Sequence, residues 1–227
     1  HVPKQMLPIC GIPMIEWVVG HLADHGVDKV GLAMGYRPDA FLEAYPNEHI
    51  AATPYQVAVE SEPLGTAGAI RFAVEQFHLT ETFLVLNGDV LTDLDVGALV
   101  EFHRDVHAEA TIALQPVDDP SSFGVVTTDN RGRVGAFIEK PEKGSAPSNN
   151  INAGTYVLEP SAVEQIPQGR PVSVERETFP ELAAKGTLYA LPSATYWLDK
   201  GTPRQFIQAN LDMLNGKRKQ LPDLPDA

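Results

Sequence analysis

Two aspartates, more than a hundred positions apart, each follow a short apolar run. Asp89 comes after the run 83–86 and the turn dipeptide Asn87-Gly88, whereas Asp199 directly follows residues 196–198. In an open α/β sheet, ligands bind at the carboxyl ends of the strands. A carboxylate from each of two strand ends can hold one Mg²⁺, with a substrate phosphate as a further ligand. We therefore predict that Asp89 and Asp199 bind the metal of an enzyme of phosphoryl chemistry.

Two segments in the first third of the chain are suited to binding a nucleotide. Lys4 lies between Pro3 and Pro8, and because prolines stiffen the backbone, its ammonium would be held in place as a phosphate ligand. Residues 62–70 follow a predicted strand and open a predicted helix. Their glycines let a ligand approach the backbone, and helix-terminal N–H groups favour anions or base edges. Taken alone, the first segment also fits an exposed arm, and the second fits a turn in which Thr66 caps the helix.

Polar side chains at two further strand ends are suited to binding a phosphorylated sugar. Glu139 and Lys140 end one predicted strand, where a carboxylate can accept from sugar hydroxyls and an ammonium can bind a phosphate. Asn152 begins another strand, with Gly154 leaving room for a ligand. Each of these short motifs, taken singly, is equally typical of a solvated turn. His103 and His107 have metal-ligand spacing, but no third ligand is suggested, so we interpret them as a solvent-exposed helix face.

Composition narrows the class of protein. The chain has 227 residues, is 43% hydrophobic and 21% charged, and carries a formal net charge of -13. The negative charge argues against nucleic acid as a partner, because a phosphate backbone would be repelled. One cysteine, Cys10, excludes an intramolecular disulfide and indicates a reducing cytoplasm. No apolar run has the length of a membrane span, and no signal peptide is recognisable.

Apolar runs alternate with helical patterns in the first half, which predicts βαβ units and an α/β fold with a mostly parallel sheet. A helix is predicted to open at Pro13, and Asp95 and Thr202 are expected to cap later helices. Residues 141–150 are rich in Pro, Gly, Ser and Asn and predict a surface loop. Strands are predicted at 30–34, 55–59, 83–86, 111–117, 124–127, 134–138 and 152–158, and further helices at 66–77, 95–107, 175–184 and 203–214.

The order and spacing of these motifs resemble those of the sugar-1-phosphate nucleotidylyltransferases from Val2 to about Leu214. Within that family, residues 64–69 and 170–180 look most like bacterial mannose-1-phosphate guanylyltransferases. The motifs that carry the resemblance are Pro3-Lys4, Leu7-Pro8, Pro63-Leu64-Gly65-Thr66-Ala67-Gly68, Asn87-Gly88-Asp89, Phe123-Gly124-Val125-Val126, Glu139-Lys140-Pro141, Asn152-Ala153-Gly154, Trp197-Leu198-Asp199 and Gly201-Thr202-Pro203.

The resemblance implies a Rossmann-like three-layer αβα sandwich with a mixed, mostly parallel sheet, the GT-A-like nucleotidyltransferase fold. It also implies a nucleotidyltransferase domain at residues 1–216, with residues 217–227 as a tail or linker. The family begins with a strand and a glycine-rich phosphate loop, and this sequence starts after them. A sheet that lacks this central strand should expose unpaired backbone. We therefore expect the segment to be omitted from the sequence or supplied by another chain, and little turnover if the molecule truly lacks it.

The family's functional residues map onto this sequence position by position. Asp89 and Asp199 match the residues that bind the catalytic Mg²⁺, and Lys4 matches the lysine on the nucleotide phosphates. Glu139 and Lys140 match the residues on the sugar hydroxyls and the sugar phosphate. Gly124 and Asn152 match positions of the sugar pocket. The positions that match the nucleotide site are Leu64, Gly65, Thr66 and Gly88. The first three of these form the loop that reads the base. At Lys200 the sequence departs from the family, which usually has an apolar residue there.

The implied reaction forms an NDP-sugar and pyrophosphate from an NTP and a sugar-1-phosphate, here GDP-mannose from GTP and mannose-1-phosphate. The alternatives are a glucose-1-phosphate thymidylyl-, uridylyl- or adenylyltransferase and a non-catalytic regulatory subunit that binds a nucleotide-sugar. A metal-dependent glycosyltransferase is disfavoured because Asp89 is followed by Val90-Leu91 and not by a second aspartate. The implied partners are the two substrates, without nucleic acid or membrane. A homo-oligomer is compatible with the sequence, which fixes neither the base and sugar preference nor any regulation.

Overall fold

The computed structural model describes residues 2–35, 38–199 and 201–218. Lys200 and residues 219–227 lie outside the described part, so the predictions for them are not tested. The helices are α1 Met14–Asp24, α2 Pro38–Ala44, α3 Gly65–Phe77, α4 Val96–Asp105, α5 Pro160–Glu164, α6 Phe179–Lys185 and α7 Pro203–Leu214, with a 3-10 turn at Lys4–Met6 and a π-helix at Val174–Thr178.

The strands form several sheets. In chain order they are β1 Pro8–Ile9, β2 Ile12–Pro13, β3 Val30–Met34, β4 His49–Ile50, β5 Thr53–Val59, β6 Phe83–Leu86, β7 Val90–Thr92, β8 Ala110–Pro116, β9 Gly124–Thr128, β10 Val134–Glu139, β11 Asn150–Leu158, β12 Leu188–Pro192 and β13 Trp197–Asp199. The largest sheet has the order β10-β9-β11-β8-β12, with β6 also paired to β11. A second sheet has the order β3-β5-β4, β1 pairs with β2, and β7 and β13 form a two-stranded ribbon.

The mixed sheet predicted from the sequence is confirmed, but antiparallel pairing is more extensive than the alternating pattern predicts. Among the described strands, the parallel pairs are β3 with β5 and β8 with β12. The excess has one main cause: β11 runs antiparallel to β6, β8 and β9. The direction of β11 therefore decides whether three strand pairs are parallel or antiparallel. The residue pattern of β11 itself does not show that direction.

Helix α1 packs on two separate hydrophobic clusters. Met14, Trp17 and Val18 lie in a cluster with β1, β7 and α7, whereas Ile15 and Val19 lie in a cluster with the β3-β5-β4 sheet. Each fully buried side chain of this size contributes about 1.5–3 kcal/mol relative to an exposed one. The helix therefore joins the small sheet to the β7/β13 ribbon.

Two of the three side-chain helix caps predicted from the sequence are present in the structure. The carboxylate of Asp95 accepts from the Ala98 N–H at 2.9 Å, and Thr202 accepts from the Gln205 N–H at 3.3 Å, so both predicted caps are confirmed. The cap predicted at Thr66 is wrong. Helix α3 begins at Gly65, and its cap position makes no side-chain cap bond. The Thr66 hydroxyl instead bonds a distant segment, as described below.

The interpretation of His103 as part of a solvent-exposed face is also wrong. Its side chain is buried, with Nδ1 2.8 Å from the Thr111 hydroxyl and Nε2 3.1 Å from a carboxylate oxygen of Glu159. Burial outweighs the nearby carboxylate and lowers the pKa of His103, so the ring is neutral at neutral pH. This imidazole is a structural group that joins α4 to the large sheet.

Candidate active site

The two predicted metal ligands are brought together by the β7/β13 ribbon. Asp199 ends β13, and its register partner on β7 is Val90. Asp89 directly precedes Val90 in the chain, so the two aspartates occupy neighbouring positions at one end of the ribbon. Both side chains are partly buried. Two three-residue strands thus place side by side two residues that are far apart in the sequence.

The electrostatics of this pair fit a cation. Burial, and then the negative charge of Asp89, raise the pKa of Asp199, while a backbone bond from Gly201 and the charge of Lys4 partly offset this. A bound cation would relieve the repulsion between the two carboxylates. Within the described residues, no group of three or more His, Cys, Asp or Glu side chains could hold a metal ion. A site of two carboxylates that leaves positions for phosphate oxygens suits Mg²⁺, which seldom uses a cage made of protein alone.

Lys4 lies at the same site. Its 3-10 turn continues into Gln5, and a Cβ added to Gly88 would lie 3.3 Å from Cγ of that glutamine. The turn therefore packs against the segment that carries Asp89. The Lys4 charge also acts on the Asp199 carboxyl. The predicted phosphate lysine is thus next to the two predicted metal ligands.

The predicted sugar-binding residues also come together. Gly124 and Glu139 are register partners on β9 and β10, and the Glu139 Oε2 atom lies 3.0 Å from the position of a Cβ added to Gly124. Asn152 lies on the adjacent strand β11, where Oδ1 accepts from the Gly154 N–H at 2.9 Å and Nδ2 donates to the Tyr156 hydroxyl at 2.9 Å. These bonds fix the amide at one end of the large sheet.

Lys140 has a strained backbone. Its φ of 47° lies in the left-handed region, which is uncommon for a residue with a side chain. Its N–H bonds the Phe123 carbonyl at 3.0 Å, which holds the turn, and its Nζ lies 3.5 Å from Glu139 Oε1. The side chain is 61% exposed. Strain of this kind clusters at ligand-binding positions, where the surrounding structure holds it.

Direct contacts join the metal and sugar halves into one site. The Asn87 N–H donates to the Gly154 carbonyl at 2.8 Å, and a Cβ on Gly154 would lie 2.7 Å from the Asn87 amide nitrogen. The Trp197 indole donates to the Ala153 carbonyl at 2.9 Å, and its ring meets Phe123 edge-on at 5.7 Å. Asp199, two residues beyond Trp197, is thereby held against the sugar-binding strands.

The predicted base-reading loop, residues 64–68 and here called the base loop, is held by residues 170–177, the clamp segment. The Val172 N–H donates to the Leu64 carbonyl at 2.8 Å, and the Ala67 N–H donates to the Val172 carbonyl at 2.9 Å. A Cβ on Gly65, whose φ is 72°, would lie 2.5 Å from the Val172 oxygen. No hydrogen bond or ion pair among the described residues joins the base loop to the aspartates.

One residue at this contact was missed by sequence reasoning. Glu175 accepts a hydrogen bond from the Thr66 hydroxyl at 2.9 Å. The available signal was the motif at residues 170–180, which carries part of the family resemblance but has no local feature that points to residues 64–68. The pairing joins positions 109 residues apart and becomes visible only in the fold.

The fold and the site define a class of nucleotide-transferring proteins, and residues 1–216 match the family described as nucleotidyl transferase. The chain belongs to this family. It is 40% identical over 216 residues to mannose-1-phosphate guanylyltransferase of Mycobacterium tuberculosis, a match that covers 94% of this chain and 59% of that protein. It is 39% identical over 225 residues to mannose-1-phosphate guanyltransferase of Yarrowia lipolytica, covering 98% and 61%. The chain therefore spans about three fifths of the length of these curated relatives.

Solved structures confirm the fold. HddC from Yersinia pseudotuberculosis superposes with a TM-score of 0.80 at 28% identity, covering 93% of this chain and 90% of that one, and was also solved in complex with GMP-PN. A UDP-glucose pyrophosphorylase complexed with UDP-glucose has a TM-score of 0.79 at 21% identity and covers 96% and 92%, a likeness of fold alone. Nucleotidyltransferases of this family generally use a divalent metal.

In the described part of the chain, no helix combines the length and the apolar character that crossing a membrane requires.

Proposed function

We propose that this protein transfers a guanylyl group from GTP to mannose-1-phosphate, forming GDP-mannose and pyrophosphate. The observation that carries the proposal is the placement of Asp199 opposite Val90, next to Asp89, in contact with the strands of the predicted sugar pocket. The names of the relatives support the base and the sugar. The GMP-PN complex of HddC, a protein with the same fold, supports a guanine nucleotide as ligand.

Asp89 and Asp199 are proposed to hold Mg²⁺, which when bound would neutralise phosphate charge in the transition state. Lys4, whose charge acts on the Asp199 carboxyl, would bind the nucleotide phosphates. Gly88, which has no side chain, would let the nucleotide lie close to the backbone. Two cationic partners around a polyphosphate fit the charge that this reaction must stabilise.

The sugar phosphate is proposed to bind to the residues at the end of the large sheet. Glu139 would accept hydrogen bonds from sugar hydroxyls, and Asn152 would offer an amide whose orientation is already fixed by Gly154 and Tyr156. A Cβ on Gly124 would lie 2.7 Å from the Phe137 ring and 3.0 Å from Glu139 Oε2, so a glycine here lets both side chains keep their positions in the proposed pocket. The exposed Lys140 would bind the sugar phosphate. Base recognition is assigned to Leu64, Gly65 and Thr66.

The chemistry requires no general base. An oxygen of the sugar phosphate attacks the α-phosphorus of GTP, a new P–O bond forms, and the bond to the β-phosphate breaks with pyrophosphate leaving. A phosphate monoester has a second pKa of about 6, so it is already an anionic nucleophile at neutral pH. Catalysis is then mainly a matter of holding two anions in line, which can supply roughly 7–11 kcal/mol of the barrier in favourable cases.

Pyrophosphate release by the full-length protein tests the proposal. Each of GTP, ATP, UTP and dTTP is combined with mannose-1-phosphate or glucose-1-phosphate, with Mg²⁺ or with EDTA. We expect release with GTP, mannose-1-phosphate and Mg²⁺. Lys140→Ala should raise the KM for the sugar phosphate, while Lys143→Ala, which alters an exposed lysine of the following loop, is the matched control.

Other outcomes identify the alternatives. Release with glucose-1-phosphate and another NTP would replace the proposal with one of the glucose-1-phosphate transferases. Binding of GDP-mannose without turnover in any combination would favour a regulatory subunit. Residues 1–216 are proposed as the nucleotidyltransferase domain and 217–227 as a tail or linker. A cytoplasmic location, suggested by the single Cys10, and any oligomer stay predictions.

A further inference from the structure

We propose that Glu175 is a positioning residue that fixes the base loop relative to the sugar pocket and so determines how tightly the nucleotide binds. The inference rests on the proposed function. In the described part of the chain, both hydrogen bonds of this carboxylate go to Oε2, from the Thr66 hydroxyl at 2.9 Å and the Ser173 hydroxyl at 2.9 Å. Glu175 is therefore held by its own segment and in turn holds the loop.

The Thr66 hydroxyl is fixed as both a donor and an acceptor. It donates to Glu175 and accepts from the Val174 N–H at 2.8 Å. A hydroxyl with both functions satisfied inside the protein has one orientation, so its methyl group and backbone are also placed. Hydrogen bonds to a charged acceptor are roughly twice as strong as neutral ones. A carboxylate at position 175 therefore holds the loop more firmly than an amide or hydroxyl would.

The backbone of the clamp segment moves with the base loop. Val172 is buried and exchanges hydrogen bonds with Leu64 and Ala67, so a shift of the segment must shift the loop. Glu175 itself lies in the π-helix Val174–Thr178, which begins after Ser173. Such helices are rare and frequently occur at functional sites.

A buried phenol joins the core under the clamp segment to the sugar pocket, because Tyr156 shares one hydrophobic cluster with Val172 and Val174. The Tyr156 hydroxyl accepts from Asn152, a predicted sugar-binding residue. Burial raises the pKa of Tyr156, the negative charges of Glu175 and Glu139 raise it further, and the hydrogen bond from Asn152 partly offsets this rise. The Tyr156 ring packs edge-on against Phe179 at 5.0 Å, the first residue of α6 directly after the π-helix. Glu175 thus belongs to a segment that bonds the base loop and shares its hydrophobic core with Tyr156 of the sugar-binding strand β11.

The test compares Glu175→Ala, Glu175→Gln, Thr66→Val and the double variant Glu175→Ala with Thr66→Val in the full-length protein. GTP affinity is measured by calorimetry, and kcat and both KM values by pyrophosphate release. We expect Glu175→Ala to weaken GTP binding and to raise the GTP KM about tenfold, which corresponds to about 1.4 kcal/mol. We expect kcat and the KM for mannose-1-phosphate to stay within about twofold, because the sugar residues keep their own contacts.

Two comparisons separate positioning from other roles. Glu175→Gln retains an acceptor oxygen for both hydroxyls but loses the charge, so its GTP affinity should lie between that of Glu175→Ala and that of the wild type. Thr66→Val should reproduce the loss, and the double variant should be no weaker than either single variant, because one coupled interaction is removed once. The exposed Glu181→Gln in the first turn of α6 is the control for loss of negative charge, and thermal unfolding reports general damage.

Several results would overturn the inference. These are unchanged GTP affinity in Glu175→Ala, additive losses in the double variant, or equal damage in Glu175→Gln and Glu175→Ala, which would indicate direct contact of the carboxylate with a ligand. The wild-type protein is measured first. If it binds no nucleoside triphosphate, the proposed function fails and the inference fails with it. If it binds GTP and the variants bind equally well, the inference alone fails.

Discussion

Strand β7 has an aspartate at each end, and the two ends are built in opposite ways. Asp89 precedes the strand and lies next to Asp199, so two carboxylates share one small region. Asp93 follows the strand and bonds the buried Arg218 guanidinium at 2.8 Å. That guanidinium also donates to the Thr92 carbonyl at 3.2 Å and stands 5.6 Å from the Trp17 ring centre. The first end keeps two carboxylates close together and is the one proposed to bind a ligand (the ligand end), whereas the other end pairs its carboxylate with a cation of the protein.

The pKa directions describe the same difference. At the ligand end, burial and the neighbouring Asp89 raise the pKa of Asp199, which means that ionising it opposes folding. Near the other end, Asp212 accepts from the hydroxyl of Tyr196, whose carbonyl accepts from the Asp93 N–H. Burial alone would raise the pKa of Asp212, but hydrogen bonds from Lys217 and Gln208 hold it below its usual range. Proteins commonly keep such a locally unfavourable arrangement where function requires it. The aspartate pair at one end of the ribbon therefore lowers the stability of the fold, whereas the ion pair of Asp93 with Arg218 at the other end raises it.

The largest effect is expected from removing the buried cation. Arg218→Ala leaves Asp93 buried without this partner, and breaking a buried pair costs about 3–5 kcal/mol of the free energy of unfolding. Urea denaturation measures the loss, with the exposed Arg204→Ala on α7 as the control. Turnover per folded molecule should be unchanged. A stability loss no greater than that of the control would show that the two ends do not differ as described.

Asp199→Asn should have the opposite effect, a loss of turnover without a loss of stability. Loss of one charged group at a phosphoryl-transfer site lowers kcat by about 100- to 1,000-fold, or about 2.7–4 kcal/mol. The variant should be at least as stable as the wild type in metal-free buffer at neutral pH, because a carboxyl with a raised pKa destabilises the ionised folded state. Steady-state kinetics and thermal unfolding are measured together, with the exposed Asp105→Asn as control. Normal turnover would rule out Asp199 as a metal ligand.

Ligand-induced stabilisation should depend on the Asp89 end alone. Mg²⁺ with GTP at 100 times its Kd is expected to stabilise the wild-type protein by about 2.7 kcal/mol. Asp89→Asn should lose most of this gain. Arg218→Ala should retain it, measured from that variant's own lower melting temperature. Equal shifts in all three proteins would indicate that the nucleotide binds without the aspartate pair.

Acid should destabilise the Arg218 end by a smaller amount. Because the pKa of Asp212 is lowered in the folded state, its contribution is present above the unfolded pKa of about 3.9 and is lost as the pH falls through the folded pKa. Asp212→Asn should therefore lower stability at pH 6, by an amount on the order of 1 kcal/mol, and should flatten the loss below pH 4. Denaturation midpoints from pH 7 to pH 3 measure this. Parallel curves for variant and wild type would contradict it.

The parts of the fold that follow local rules were predictable. The caps at Asp95 and Thr202 need only a side chain and an N–H three residues later, and both are present. Asp89 and Asp199 were predicted as metal ligands because such residues gather at strand ends, and the structure places them side by side. The strands that carry Asp199 and follow Asp89 are three residues long and were not predicted as strands. Strands this short leave almost no periodic signal.

The errors share a physical origin. Thr66 has the right type and position for a helix cap, but the acceptor that takes its hydroxyl hydrogen is Glu175, far along the chain. His103 was interpreted as exposed because no third metal ligand accompanies it and His107, but Glu159 and Thr111 provide a partner on each side of its buried ring. In both cases a hydrogen bond to a residue outside the local segment overrides the local preference. Such a bond cannot be predicted from a single sequence, because its two partners come together only in the fold.

Helix α1 has a consequence for how the molecule unfolds. Its two faces serve two clusters, one on the small sheet and one on the β7/β13 ribbon. Losing a single turn of this helix would expose apolar surface in both clusters at once, so neither can open while the other stays intact. The small sheet and the ribbon should therefore melt in one cooperative transition, and amide hydrogens in both regions should exchange through the same opening event.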